Sequence, residues 1–82
     1  MPETLPPANL LAIVRARLAA MPPTAPTDRD HQALALLNDE LRSAVAIGTR
    51  AGKSTAWVVE RLERLVALGL ADADGVGRYR RR

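Results

Sequence analysis

The chain lacks cysteine and phenylalanine, and its 82 residues include one histidine, one tryptophan and one tyrosine. The absence of cysteine excludes disulfides and thiolate metal sites. A zinc site would have to combine His31 with carboxylates alone, which does not match the usual zinc ligand sets. No nucleophile, base and acid can be assembled into a catalytic set. We therefore expect a protein that is not an enzyme and holds no metal or cofactor.

The near-absence of aromatic residues also bears on fold class, because 48% of the chain is nevertheless apolar. These residues are mainly Ala, Leu and Val, and Ala and Leu favour helices, whereas strands favour β-branched and aromatic residues. The composition predicts a mainly helical protein with one modest core. Residues 1–7 have no basic start and no long apolar run, so we expect no signal peptide or membrane anchor. A cytoplasmic location fits the lack of cysteine.

The charge is distributed unevenly along the chain, although the net value is only +3. Residues 1–41 carry a net charge of −2, and residues 42–82 carry +5. Such asymmetry indicates that the second half meets a polyanion. A solvated face followed by a disordered basic tail would give the same count, so charge alone leaves both interpretations open.

The N-terminal third predicts one helix between two proline-rich segments. Three prolines in residues 1–7 indicate an extended lead-in, and Asn9 can cap a helix over residues 9–21. Pro22, Pro23 and Pro26 then predict a stiff linker, so we divide the chain into residues 1–27 and a domain of residues 28–82. The helix stripe comprises Leu10, Leu11, Ile13, Val14 and Leu18. This stripe either folds back over the core or pairs with the same helix of a second copy in a homodimer.

Local signals predict two further helices in the middle of the chain. Thr27 and Asp30 resemble a capping box, which would start a helix over residues 28–38. Ser43 can cap a short helix over residues 44–51, and Gly52 stands where a left-handed residue would end it.

The longest predicted helix covers residues 54–68 and is followed by a hairpin. Val58, Leu62 and Leu65 recur at helical spacing and form its core stripe. Residues 70–73 and 76–80 can pair as two short strands around Asp74-Gly75, a dipeptide common in tight turns.

The segment of residues 43–58 has the pattern of a helix-turn-helix. Two closely crossing helices need a small residue beside an apolar anchor, and Gly48 follows Ile47. Their turn needs a residue that tolerates positive φ, which Gly52 supplies. Val58 then returns a core residue onto the first of the two helices.

The residues beyond this turn, Leu62 to Leu70 and Asp74 to Arg80, resemble the winged helix-turn-helix superfamily, as in MarR-like, ArsR-like and Lrp-like regulators. The shared pattern is a Leu, three residues, Gly-Leu and then a Gly-rich basic hairpin. The resemblance implies a winged helix-turn-helix with an extra N-terminal helix, a recognition helix at about 54–68 and a wing at 72–80. It also implies a double-stranded DNA-binding module of the transcription-regulator type, in which the helix enters the major groove.

On this interpretation, the side of the recognition helix that faces the groove comprises Ser54, Thr55, Ala56, Val59, Glu60 and Glu63. Lys53 departs from the usual apolar residue and is expected to contact phosphate. Arg61 and Arg64 either contact phosphates or pair with Glu60 and Glu63. The predicted DNA-binding set is Arg50, Lys53, Ser54, Thr55, Val59, Arg61, Arg64, Arg78 and Arg80.

Trp57 supports an alternative function. Together with Val59 it could form the face of a protein-interaction module that binds a polymerase, a replication protein or another regulator. Trp57 could also stack on a base, or simply cover the core edge between the second and fourth helices.

Overall fold

The structure is a computed structural model and describes residues 3–82. The first two residues of the expected lead-in lie outside the described residues. Within the described range the elements are α1 (Ala8–Ala20), α2 (Asp28–Leu34), β1 (Arg42–Ser43), α3 (Ala44–Ala51), α4 (Thr55–Ala67), β2 (Ala71–Ala73) and β3 (Arg78–Arg81). The prediction of a mainly helical chain with a small β-hairpin is confirmed.

The joint between α3 and α4 forms as its glycines predict. Gly52 ends α3 with a φ of 70°, and the Lys53 amide donates to the Gly48 carbonyl at 2.9 Å. A Cβ placed on Gly48 would stand 2.8 Å from the Lys53 carbonyl oxygen and 3.1 Å from Cγ2 of Val58. The missing side chain therefore lets α3 approach both the turn and the first turn of α4.

The sheet has the strand order β1-β3-β2, and both pairings are antiparallel. The predicted hairpin is present, with Ala73 opposite Tyr79. Strand β1 is absent from the sequence prediction because two residues show no alternation; it pairs Ser43 with Arg78. The backbone amides of Arg81 and Arg82 donate to the carbonyls of Asn38 and Leu70, which does not match the alternative of a disordered basic tail.

Helix α4 lies at the centre of the core. Its predicted stripe of Val58, Leu62 and Leu65 is fully buried. Helix α1 packs against α4, and Leu11 and Val14 belong to the same buried cluster. Of the two outcomes expected for α1, the structure therefore has the helix folded back over the core.

Three helix details differ from the prediction. Asn9 does not cap α1: the helix begins after Pro7, whose carbonyl accepts from the amides of Leu10 and Leu11. Ile13 is 51% exposed, because the 100° step of a helix places it nearly opposite Leu11. Helix α2 ends at Leu34 instead of 38, since a tighter bond from the Leu37 amide to the Leu34 carbonyl turns the chain.

A buried carboxylate fastens α2 to α4. Asp30 completes the predicted capping box with Thr27 and is fully buried. Its oxygens accept from Nε and a terminal nitrogen of Arg64 at 3.0 and 2.9 Å, and Arg61 lies 3.5 Å away. Burial alone would raise the pKa of Asp30, but the hydrogen bonds from Arg64 and Thr27 lower the pKa to about 2.

Replacing this carboxylate tests how much its contacts with the arginines of α4 stabilise the fold. We expect Asp30→Asn to lower the free energy of unfolding at neutral pH by about 2–4 kcal/mol, because it leaves a partly buried arginine pair without its counter-charge. The ordinary pKa is 3.8 and the folded value is about 2. The stabilisation is therefore complete above the unfolded pKa and is lost as the pH falls through the folded one. Urea unfolding between about pH 2 and pH 5 should show a shallower decline for the variant. Parallel pH dependences would contradict this assignment.

A second variant tests the close approach at Gly48. Gly48→Ala should lower the free energy of unfolding by about 1–3 kcal/mol, because the added methyl overlaps a backbone carbonyl that cannot rotate away. In an exposed helix the same change would stabilise by up to about 1 kcal/mol. Thermal unfolding shows whether the substitution lowers or raises the free energy of unfolding. A stabilised G48A protein would show that α3 and the turn are not in contact.

Candidate nucleic-acid interface

The start of α4 presents a cation and two hydroxyls. Ser54 caps the helix, with its Oγ accepting from the Trp57 amide at 3.1 Å. The sequence places Lys53 and Ser54 outward, and the structure has both exposed, with Thr55 half-buried. Lys53 Nζ stands 5.1 Å from the centre of the Trp57 ring. Backbone amides of a first helical turn and a nearby cation are a suitable pair of donors for phosphate.

The prediction that Val59 and Glu63 face outward is wrong. Val59 is fully buried, and Glu63 is only 7% exposed. The two lie one turn apart on α4, and α1 packs there with Arg15 reaching Glu63. Val59 therefore contacts neither a thymine methyl nor a partner protein beside Trp57. The outward residues left in this part of α4 are Ala56 and, in part, Glu60.

Glu63 is the centre of a network that joins three elements. Its two oxygens accept from Arg15 Nε at 2.7 Å and from the Tyr79 hydroxyl at 2.5 Å, and Arg15 also donates to the Gly75 carbonyl at 3.1 Å. Burial and the bond to Glu63 raise the pKa of Tyr79. The bond to Glu63, opposed by burial, raises the pKa of Arg15. Tyr79 thus stays a donor, and α1, α4 and the hairpin are held together.

The arginines of the hairpin are partly neutralised. Arg78 lies 3.3 Å from Asp74 and 3.5 Å from Glu3, and Arg80 lies 3.6 Å from Asp72. The side chains in these pairs are partly exposed, so solvent weakens the pairs and a phosphate can compete with the carboxylates. Tyr79 lies between these arginines in sequence but is fully buried, so it takes no part in the basic surface.

The lead-in lies against the sheet beside this basic hairpin. The Ser43 amide donates to Glu3 Oε1 at 2.8 Å, and the Ser43 hydroxyl donates to the Thr4 carbonyl. The ring of Pro6 occupies the space that a Cβ at Gly77 would need. Residues 3–6 therefore contact the turn end of the hairpin and place Glu3 beside Arg78.

Arg61 and Arg64 do not pair with Glu60 or Glu63, which was one of the two alternatives that the sequence left open. Both reach across to Asp30 on α2, with their side chains 16% and 19% exposed. The Nε of Arg61 is buried and has no hydrogen-bond partner among the described residues. A phosphate would have to compete with a buried carboxylate for these two groups, which makes both arginines poor phosphate contacts.

Arg50 and Trp57 differ in their surroundings. Arg50 is exposed and lines a cavity with Arg42 beside the end of α2. Trp57 is half-buried and packs against the core cluster, which supports the interpretation that it covers the edge of the core.

Comparisons of the chain with protein-family models, with curated proteins and with solved structures found no match. Among residues 3–82, none of the helices has the length and apolar character needed to cross a membrane. The same residues contain no group of three or more His, Asp or Glu side chains that could hold a metal ion.

Sequence reasoning missed Arg15 and Glu3, which lie outside the predicted motif and form ion pairs with Glu63 and Arg78. The sequence does carry a signal that Glu63 is buried, because Glu63 falls at helical spacing between Val59 and Val66. An acid on an apolar stripe needs a buried partner. Nothing in the linear pattern identifies that partner as Arg15, 48 residues earlier.

A double-mutant cycle tests the network. Tyr79→Phe should lower the free energy of unfolding by about 1–2 kcal/mol, since it leaves one oxygen of a buried carboxylate without a donor. Arg15→Met should cost at least as much. The two losses should couple through Glu63, with a non-additivity of about 0.5 kcal/mol or more. Arg17→Met, an exposed change on the same helix, serves as the control and should shift stability by less than about 0.5 kcal/mol. Additive losses would show that the two donors act independently.

Proposed function

We propose that this chain is a winged helix-turn-helix module that binds double-stranded DNA, in the manner of a transcription regulator. The observation that carries the proposal is the joint at Gly48 and Gly52. It sets α3 against the first turn of α4 and leaves Lys53 and Ser54 exposed. The strand order β1-β3-β2 and the position of β1 just before α3 also suit the winged version of this motif.

Phosphate contacts dominate the proposed binding mode. Lys53 and the first turn of α4 reach one phosphate, while Arg78 and Arg80 of the hairpin reach others after exchanging their partly exposed carboxylate partners. Ser54 and Thr55 are the remaining candidates for base contacts, because Val59 is buried. The side chains on this face do not include an Asn, Gln or Arg for bidentate base contacts, so we expect modest sequence discrimination.

The alternative, a protein-interaction module built on Trp57 and Val59, is weakened by the structure. Val59 is fully buried, and the half-buried ring of Trp57 carries Lys53 over one face. A partner would therefore find a cation where the alternative requires an apolar patch.

A salt series tests the DNA-binding proposal. Fluorescence anisotropy with a mixed-sequence duplex of about two helical turns should show binding that weakens steeply between about 50 and 200 mM salt. Lys53→Gln and Arg80→Gln should each lower affinity for all sequences alike and reduce the slope of log K against log salt by about one. Arg17→Gln carries the same charge change away from the proposed interface and should have little effect.

Two outcomes would overturn this proposal. Absence of duplex binding at low salt would remove DNA as the ligand. Equal effects of K53Q and R17Q would show that net charge alone drives binding and that the start of α4 has no special position. Sedimentation of the free protein and the complex would show in the same samples whether a second copy takes part.

A further inference from the structure

A second cationic region lies at the end of α2. There the chain leaves the helix, crosses to β1 and runs beside the last turn of α3. A cavity of about 350 Å³, here named the α2–α3 cavity, opens between these segments, and its size falls within the range of small-molecule sites, about 300–1,000 Å³. Its main lining residues are Leu36, Leu37, Asn38, Arg42, Ile47 and Arg50.

The floor of the α2–α3 cavity is apolar. Leu37 and Ile47 are 6% and 4% exposed and belong to the core cluster. Leu36, in contrast, lines the cavity with 38% of its surface exposed. The early end of α2 at Leu34 creates this arrangement, because the turn that follows directs Leu37 into the core and leaves Leu36 at the opening.

The polar groups of the α2–α3 cavity are mostly cationic. Arg50 makes no ion pair with a carboxylate among residues 3–82. Arg42 has only a 3.6 Å contact with Glu40, whose side chain is 74% exposed. Both guanidiniums are therefore available to an anion, and neither is committed to the fold as Arg61 and Arg64 are.

We propose that the α2–α3 cavity binds a small amphipathic carboxylate, with its apolar body against Leu36, Leu37 and Ile47 and its carboxylate between Arg42 and Arg50. An arginine pair suits a carboxylate because each guanidinium donates in a planar fork. A DNA phosphate would use the arginines and leave the apolar floor empty. This site does not depend on the DNA-binding proposal, since it is formed by the segment after α2, by β1 and by α3, and it uses neither Lys53 nor the hairpin arginines.

The test is a titration with 2-naphthoate, followed by the methyl resonances of the labelled full chain. We expect saturable shifts at Leu36, Leu37 and Ile47. The double variant Arg42→Gln, Arg50→Gln should bind at least about tenfold more weakly, because it loses both charge-assisted contacts. Arg17→Gln, Arg29→Gln removes the same charge from two other exposed arginines and should bind like the parent. Leu36→Ser is a second variant that keeps the charges and should also weaken binding.

Three comparisons make the test decisive. The neutral analogue 2-naphthamide should bind at least about tenfold more weakly than naphthoate, and equal binding would overturn the role of the arginines. Inorganic phosphate should not displace naphthoate at equal concentration. Displacement would show that the cavity binds any anion without using its apolar floor, which would overturn the proposal. A duplex that displaces naphthoate in the parent would assign Arg42 and Arg50 to DNA and overturn the proposal. Shifts confined to Leu5 and Val76, which line a separate apolar groove, would also overturn it.

Discussion

The close approach of α3 to the turn at Gly48 is the constraint on which the arrangement of the helices depends. Only a hydrogen fits between the Gly48 Cα and the Lys53 carbonyl, and the Lys53 amide closes the joint by donating to the Gly48 carbonyl. The contact fixes where α4 starts, and the start of α4 then decides which of its faces is buried. Because Val58 packs against the same glycine, the core stripe of α4 and the direction of its first turn are set together.

Two buried carboxylates then fasten the remaining helices onto α4. Asp30 holds α2 through Arg64 and Arg61, and Glu63 holds α1 and the hairpin through Arg15 and Tyr79. This changes the meaning of the charge asymmetry along the chain. Acids from the negative first half, Asp30 and Glu3, contact arginines of the positive second half. The excess of +5 counted in residues 42–82 is therefore partly cancelled in space, and the basic surface is smaller than the linear count suggests.

How much of the structure the sequence predicts depends on the range of the signal. The α3 helix, its Ser43 cap and the left-handed Gly52 were predictable because each is decided within a few residues. The hairpin was predictable for the same reason, and so was the capping box of Thr27 and Asp30. The errors at Val59 and Glu63 have another origin. A helical wheel gives the face on which each residue lies but not which element packs against that face. Here α1 packs against it, and the sequence of α1 does not show which helix it will contact. Strand β1 was missed because two residues form a strand only when β3 is beside them.

The burial of Val59 and Glu63 also limits the kind of interface that α4 can form. A recognition helix that reads bases presents several polar side chains over successive turns, whereas α1 covers one flank of α4 here and Asp30 holds the arginines of another. What remains exposed is the start of the helix, with Lys53 and Ser54 just before it and Ala56 in its first turn, beside the half-buried Thr55 and Glu60. Contacts from so short a segment position a protein on a duplex more than they select a sequence. If this chain selects a DNA site, the selection must come from the shape of the duplex or from a second copy, because one copy offers too few groups to read it.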